Sequence, residues 1–530
     1  MPVIKRCLVV ALLILTPHSA LANDASLGRV GESVQPIYST QVEMAAEEVT
    51  IRVTPTCSFV EASFTFRNQG PNTTVLMGFP QPGPGEGREE FRDDLGLHEF
   101  KTLVDGQEVH VALEKGLVPE SRPRDIDYPS WHTWEVEFSP GQTRTVTNTY
   151  WVKNTQWSNG EALAGYVLVT GGTFMGPIGH ARVTLVMEGI LPYQIRRVQP
   201  GDFRFEGQDL VWEWRDLEPG ADIDVFYDTR GLLPFAEAAL DLDGRATQWE
   251  EWLSQGRHEE VLATLDETGA ASQAALALYR ARALEGLGRS AEAAAAWQGL
   301  LDTEGKDDAP LAHLAAPEAL YHLALHGNKT GDREALRRIH GNLRESRLSA
   351  PLQRWVESLM PLADVPHESP VIHQAFLKPV EGDPSYRYLV IDAEDPDGDM
   401  AALHIVVWYE DGGTQHVILE QRLAYLDPYR TSMEYLIEQV PPGKDPLFSV
   451  NLEDAQGNLA KAGTLIHEDQ EAQEDSGETP RPLSWPLFLA ALLLVGALAA
   501  IRRSVLSSRK DPQGDNSKDK AKARRMDQDT

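Results

Sequence analysis

Apolar and polar residues alternate in short runs from about 37 to 230. Val49, Ile51 and Val53 begin the pattern, followed by Phe64 and Phe66, then Trp134, Val136 and Phe138. Later runs are Val183, Leu185 and Met187; Leu210, Trp212 and Trp214; and Ile223, Val225 and Tyr227. A period of two with one apolar face predicts half-buried strands in antiparallel sheets. Asn68-Gln69-Gly70-Pro71, Asp105-Gly106, Pro140-Gly141, Pro200-Gly201-Asp202 and Pro219-Gly220 punctuate them as turns. The pattern predicts an all-β, sandwich-like module over 23–235, as one sandwich or two in tandem. The Gly-, Pro- and charge-rich stretch 81–94 reads as an exposed loop.

The period then changes. Over 245–362, Ala and Leu recur at helical spacing. Gly288, Ala293 and Trp297 follow a Gly-x4-Ala-x3-aromatic spacing; Gly256, Val261 and Leu265 form a weaker copy, and Gly331 with Leu336 starts a third. Glycine ends a helix, and alanine lets two helices approach. These residues resemble a tetratricopeptide repeat, although Ala281 and Leu284 stand where that family carries Gly and Tyr. The resemblance implies stacked helix pairs that dock a protein partner on a concave face.

Strand patterning returns over 366–467, with Asp395-Pro396-Asp397-Gly398-Asp399 and Asp411-Gly412-Gly413 as turns. Through Asp392-Ala393-Glu394-Asp395-Pro396-Asp397-Gly398-Asp399 this part resembles Ig-like and cadherin-like modules, which implies a β-sandwich. The N-terminal module resembles a group of uncharacterised bacterial extracytoplasmic β-domains. That resemblance rests on Phe64-Thr65-Phe66-Arg67-Asn68 leading to Val75-Leu76-Met77-Gly78-Phe79-Pro80, on Trp131-His132-Thr133-Trp134-Glu135-Val136-Glu137-Phe138-Ser139-Pro140-Gly141 and on Gly176-Pro177-Ile178-Gly179. It implies a fold and no catalytic residue.

Both ends carry membrane-type signals. Lys5 and Arg6, an apolar run from Leu8, and Ala20-Leu21-Ala22 read as a signal peptide over 1–22, cut before Asn23. An acidic linker over 468–482 leads to a charge-free stretch at 483–501, long enough for one transmembrane helix. Arg502 and Arg503 open a basic tail over 502–530. By the positive-inside rule the expected location is the cell membrane, single-pass, with the bulk of the chain periplasmic or extracellular and the tail cytoplasmic.

The net charge of −32 over 530 residues argues against a nucleic-acid partner. Two cysteines, Cys7 and Cys57, are too few for a disulfide framework, and Cys57 reads as a buried apolar thiol. The sharpest chemistry is acidic: Asp392, Glu394, Asp395, Asp397 and Asp399 gather on one turn. Calcium takes six to eight oxygens, so calcium is the candidate metal, with a plain solvated turn as the other reading. No other cofactor is indicated. Glu318, His322 and His326 share one helix face, with His313 near, as a weaker candidate transition-metal set. No nucleophile elbow or phosphate loop is present in the sequence. These features favour a non-catalytic interaction or scaffolding protein. Two alternatives stay open: an enzyme with its site in the N-terminal β-module under loop 81–94, and a surface protein processed at a sorting-like tail beginning at Pro480-Arg481-Pro482.

Overall fold

A computed structural model describes residues 23–463, apart from 31–32, 82–95, 120–126, 241–243, 266–271, 304–308, 362–364, 366–367, 381–382, 412–413, 424–425, 439, 442–443, 445 and 456–457. The expected signal peptide, acidic linker, transmembrane stretch and basic tail lie outside the described residues, as does the loop 82–94.

The alternating runs form strands with their apolar faces inward. In Val42–Val53 the inward residues include Val49, Ile51 and Val53, and in Cys57–Asn68 they include Phe64 and Phe66, all at most 1% exposed. These two strands sit near the middle of an eight-stranded sheet. Its order is Arg204–Glu206, Asp209–Leu217, Ile178–Met187, Val42–Val53, Cys57–Asn68, Thr143–Lys153, His98–Val104 and Gln107–Glu108. Ile178–Met187 runs parallel to Val42–Val53, and the other pairings in this sheet are antiparallel. A five-stranded sheet is ordered Ser33–Pro36, Ala25–Val30, Thr73–Gln81, Ser130–Phe138 and Ala112–Lys115. A four-stranded sheet holds Thr155–Gln156, Glu161–Tyr166, Ile223–Asp228 and Ile195–Gln199. One apolar core joins residues of all three sheets. Cys57 departs from expectation: it is half-buried, with its sulfur 3.3 Å from the Thr54 hydroxyl.

Eight helices follow among the described residues: Leu233–Leu240, Arg245–Ser254, His258–Leu265, Gln273–Gly286, Ser290–Leu301, Ala309–Thr330, Arg333–Ser346 and Ala350–Ser358. They correct the tetratricopeptide expectation. Gly256, Gly288 and Gly331 do end helices at positive φ, and Ala293 and Trp297 are fully buried. A glycine-ended helix followed by a small packing residue belongs to any antiparallel helix pair. A repeat also needs units of equal length, yet these helices run from 8 to 22 residues. The later helices do not stack onward as an array. Leu320, Tyr321, Ile339, Leu343, Trp355 and Val356 join the core of the N-terminal sheets instead. Trp355 Nε1 donates to the Gly207 carbonyl at 2.9 Å, and Gln208 Nε2 donates to the Tyr321 hydroxyl at 3.0 Å. With no such repeat indicated, the docking face that the resemblance implied for a protein partner loses its basis.

Membrane anchoring is corrected as well. Among the described residues, no helix is long and apolar enough to cross a membrane. The longest, Ala309–Thr330, contains Pro317, Glu318 and Lys329. The expected single-pass fold class, the membrane contact through one helix and the cell-membrane location are thus not supported by the described residues.

The C-terminal strands form two sheets over a third core. One is ordered Val371–Val380, Asp383–Glu394 and Arg430–Ile437, and the other Thr414–Leu423, Met400–Asp411, Leu447–Asp454 and Leu459–Gly463. Leu389 and Ile391 from the first meet Leu403, Ile405, Val450 and Leu452 from the second, each fully buried. The architecture described is thus mostly β, in several sheets, with a helical segment packed on the first group.

Candidate metal centre

The turn Asp395-Pro396-Asp397-Gly398-Asp399 carries the chain from Asp383–Glu394 in one sheet to Met400–Asp411 in the other. Its shape is local in origin. Asp395 Oδ1 accepts from the Asp397 amide at 2.9 Å, and the Asp395 carbonyl accepts from the Gly398 amide at 3.3 Å. Gly398 has φ +72°, and a methyl group there would collide with the Tyr429 ring. The Asp395 amide donates to the Tyr429 carbonyl at 2.9 Å, which holds the turn against the loop before Arg430–Ile437.

The structure divides the five acidic residues predicted from sequence. Asp392 faces Arg430 at 3.1 Å, and Glu394 pairs with Arg347 and His373. Both are partly solvated ion pairs. Asp397 is buried, but its Oδ1 lies 3.2 Å from Arg344 and its Oδ2 accepts from the Glu368 amide. Only Asp395 and Asp399 turn toward a common point, and Asp454 joins them. One carboxylate oxygen from each of these three lies within 4.8 Å of the other two, and all three residues are at most 3% exposed. Asp454 ends the strand Leu447–Asp454, whose register sets it opposite Met400. The Ala455 amide donates to the Asp399 carbonyl at 2.9 Å, and Asn458 donates to both Asp454 oxygens at 2.8 and 2.7 Å.

The ionised form of Asp395 is unfavourable here. Asp395 Oδ2 makes no hydrogen bond, although the residue is 0% exposed. Burial, and then the charge of Asp399, push the Asp395 carboxyl up to about 8. Arg354 lies within electrostatic reach of Asp399 and Asp395. Its guanidinium, however, is engaged by the Gly201 carbonyl and lies over the Phe203 ring at 4.1 Å. The donor set is all oxygen and anionic, with no His or Cys in it, which fits a hard divalent cation better than zinc or copper.

Asp454 was missed by reading the turn alone. Its signal lay in strand alternation: Phe448, Val450, Leu452 and Asp454 all fall on the inward face of Leu447–Asp454. A carboxylate at an inward position needs a partner.

The weaker helical candidate comes apart. Glu318 is held by Arg282 in a two-point ion pair at 2.7 Å on each arm, and Arg282 also reaches Glu250 at 2.5 Å. His322 stacks flat on Trp297, with ring centres 4.8 Å apart.

No protein-family model matches this sequence, and no curated protein is significantly similar to it. The three resemblances read from sequence, to tetratricopeptide repeats, to bacterial extracytoplasmic β-domains and to Ig-like or cadherin-like modules, are therefore not supported. Solved structures overlap in part. A putative nutrient binding protein from Legionella pneumophila overlaps over 38% of this chain and 72% of its own, at 18% identity and TM-score 0.31. An M1 zinc metallopeptidase from Deinococcus radiodurans, bound to a Tyr-Ser-Ala substrate, overlaps over 62% of this chain and 96% of its own, at 11% identity and TM-score 0.21. Native yeast LTA4 hydrolase overlaps over 35% of this chain and 29% of its own, at 11% identity and TM-score 0.20. Overlaps this loose carry no argument about function.

Proposed function

We propose that this chain is a non-catalytic interaction or scaffolding protein whose three parts are fastened by a calcium ion held by Asp395, Asp399 and Asp454. The observation that carries the reading is the convergence of three buried carboxylates from one turn and one strand, one of them with an oxygen that no hydrogen bond reaches. Calcium accepts carboxylates one- or two-pointed in flexible geometry, so three aspartates supply much of its shell.

The place of the centre gives the ion a structural task. Behind the turn, Gln353 Nε2 of the helix Ala350–Ser358 donates to the Asp397 carbonyl at 2.6 Å, and Gln353 Oε1 accepts from the Tyr429 hydroxyl at 2.9 Å. Gln199 of the N-terminal sheets donates to the Leu426 carbonyl at 3.3 Å. All three parts of the chain therefore meet within a few residues of the trio. Neutralising the carboxylates would set the turn, and the turn sets this junction. A scaffold needs such a fixed angle between its parts.

Calcium binding is tested on the whole chain by thermal unfolding in millimolar calcium and in chelator. The expected result is a higher melting temperature with calcium, lost in Asp454→Asn. Equal melting in both media would overturn the calcium role. The scaffolding role is tested separately, by comparing small-angle scattering of the chain in the two media. A looser particle in chelator supports it, and an identical particle counts against it.

A further inference from the structure

A second acidic group lies buried in the N-terminal sheets. Asn23 and Asp24 stand just before the strand Ala25–Val30 and are 0% exposed. Glu47, in Val42–Val53, is 1% exposed. Asn23 Nδ2 donates to Glu47 Oε2 at 3.0 Å, and the Tyr166 hydroxyl donates to Glu47 Oε1 at 3.1 Å. Asn148 Nδ2 donates to Asp24 Oδ1 at 2.7 Å, while Thr102 donates to the Asn148 carbonyl oxygen at 2.8 Å. The Thr170 hydroxyl donates to the Asn23 carbonyl at 2.7 Å. Each of these donors is neutral. Asp24 Oδ2 and Asn23 Oδ1 receive no hydrogen bond. Among the described residues no Lys, Arg or His forms an ion pair with Asp24 or Glu47. Burial pushes Glu47 up to about 8, and burial with the charge of Glu47 raises Asp24 well above the usual carboxylate range. Two acids enclosed with neutral donors either keep their protons or take one positive charge.

We propose that the chain is cut between Ala22 and Asn23, and that the α-ammonium group released on Asn23 is the counter-charge of the buried Asp24 and Glu47 carboxylates. The nitrogen belongs to the residue whose side chain bonds Glu47, and it lies one residue from Asp24. As an ammonium it offers three N–H donors, enough for Asp24 Oδ2, Asn23 Oδ1 and an oxygen of Glu47. In an uncut chain the same nitrogen is a neutral amide with one N–H. The chemistry is a hydrolysis. The Ala22–Asn23 C–N bond breaks, and water supplies the new carboxyl oxygen of Ala22. The amine keeps its hydrogen, gains one from water and takes up the proton lost by the new acid. The catalyst is a processing peptidase that reads small residues at −3 and −1, here Ala20 and Ala22. Cutting thus completes the sheet: the strand Ala25–Val30, which pairs with Ser33–Pro36 and Thr73–Gln81, is tied at its start by an ion pair that the precursor lacks.

The test begins with the first residue of the protein purified from its native cells, read by N-terminal sequencing. It continues with two pure forms, one beginning at Asn23 and one retaining Ala22. The Asn23 form is expected to melt several degrees higher at pH 7. An amine that gains acidic partners has a folded pKa above its ordinary ~7.7–8.0. Its stabilisation is therefore present below that range as long as the two carboxyls are ionised, and is lost as pH rises through the folded value, so the gap closes in strong base. The gap also shrinks in Glu47→Gln. Should Glu47→Gln not fold, acylation of the α-amine at pH 7 gives a second reading, expected to be at least ~10-fold slower folded than unfolded, as one pKa unit implies. A native start other than Asn23, equal melting of the two forms at every pH, or an α-amine that reacts as freely folded as unfolded would each overturn the proposal.

Discussion

Asp24 and Glu47 in the N-terminal sheets sit among hydrogen-bond donors: Asn148, Asn23 and Tyr166 each reach one of their oxygens. Asp395, Asp399 and Asp454 at the C-terminal junction bring one carboxylate oxygen each to a common point, with Asn458 donating to Asp454 and the Asp397 amide to Asp395. Both groups are buried, and both raise carboxyl pKa values. Their needs differ. Two acids already provided with neutral donors need one small positive charge. On the proposed reading, three acids at one point take a multivalent ion. The helical segment shows a third solution, in which the cation is part of the chain: Arg282 lies between Glu318 and Glu250. Charge density and donor supply, rather than the number of acidic residues, decide what a buried acidic cluster asks for.

The largest expected effect comes from breaking the cluster with its own cation. Arg282→Ala leaves Glu318, 4% exposed, buried without a partner and should cost about 3–5 kcal/mol in denaturant unfolding. Calcium should not restore it, because that site offers too few oxygens. Next comes withdrawal of calcium from the C-terminal trio. At calcium a hundredfold above its dissociation constant, chelation should remove about 2.7 kcal/mol, read by the same unfolding curves. A comparable loss is expected from Gly398→Ala, about 1–3 kcal/mol, because φ +72° strains an L residue and the added methyl meets Tyr429.

The smallest effect sharpens the comparison through pH. Without calcium, Asp395 keeps its proton up to about pH 8, whereas in the unfolded chain it loses it near the ordinary ~3.9. The unfolded state therefore binds fewer protons between those limits, and the stability contributed by this residue falls as pH rises from ~4 to about 8. Asp395→Asn should flatten that part of the chelator-treated profile. Saturating calcium should flatten it in the unaltered chain, since the ion replaces the proton. An unchanged slope in both would separate Asp395 from the metal.

Much of the β-structure was legible because alternation is a short-range signal. Val49, Ile51 and Val53 announce one inward face, and Phe448, Val450 and Leu452 announce another. Two features were not legible. The helical spacing of Gly288, Ala293 and Trp297 describes one glycine-ended hairpin correctly, but it carries no information on where the next helices pack. Tyr321 and Trp355 settle that by burying themselves against Tyr193 and Gly207 of the sheets. In the acidic turn, five carboxylates look alike in sequence. Their fates depend on which basic side chains arrive from elsewhere: Arg430 for Asp392, Arg347 for Glu394 and Arg344 for Asp397. Asp395 and Asp399, which meet Asp454 at a common point, are the part of the candidate site that sequence contained, and Asp454 had to be read from a strand 55 residues further on.

Calorimetric titration of the whole chain with calcium, repeated in two buffers of different ionisation enthalpy, tests the central claim most directly. The account predicts one ion bound at the trio, released protons at pH 7 as Asp395 ionises, and loss of both signals in Asp454→Asn. Absence of binding at millimolar calcium, or binding that survives Asp454→Asn unchanged, would contradict it.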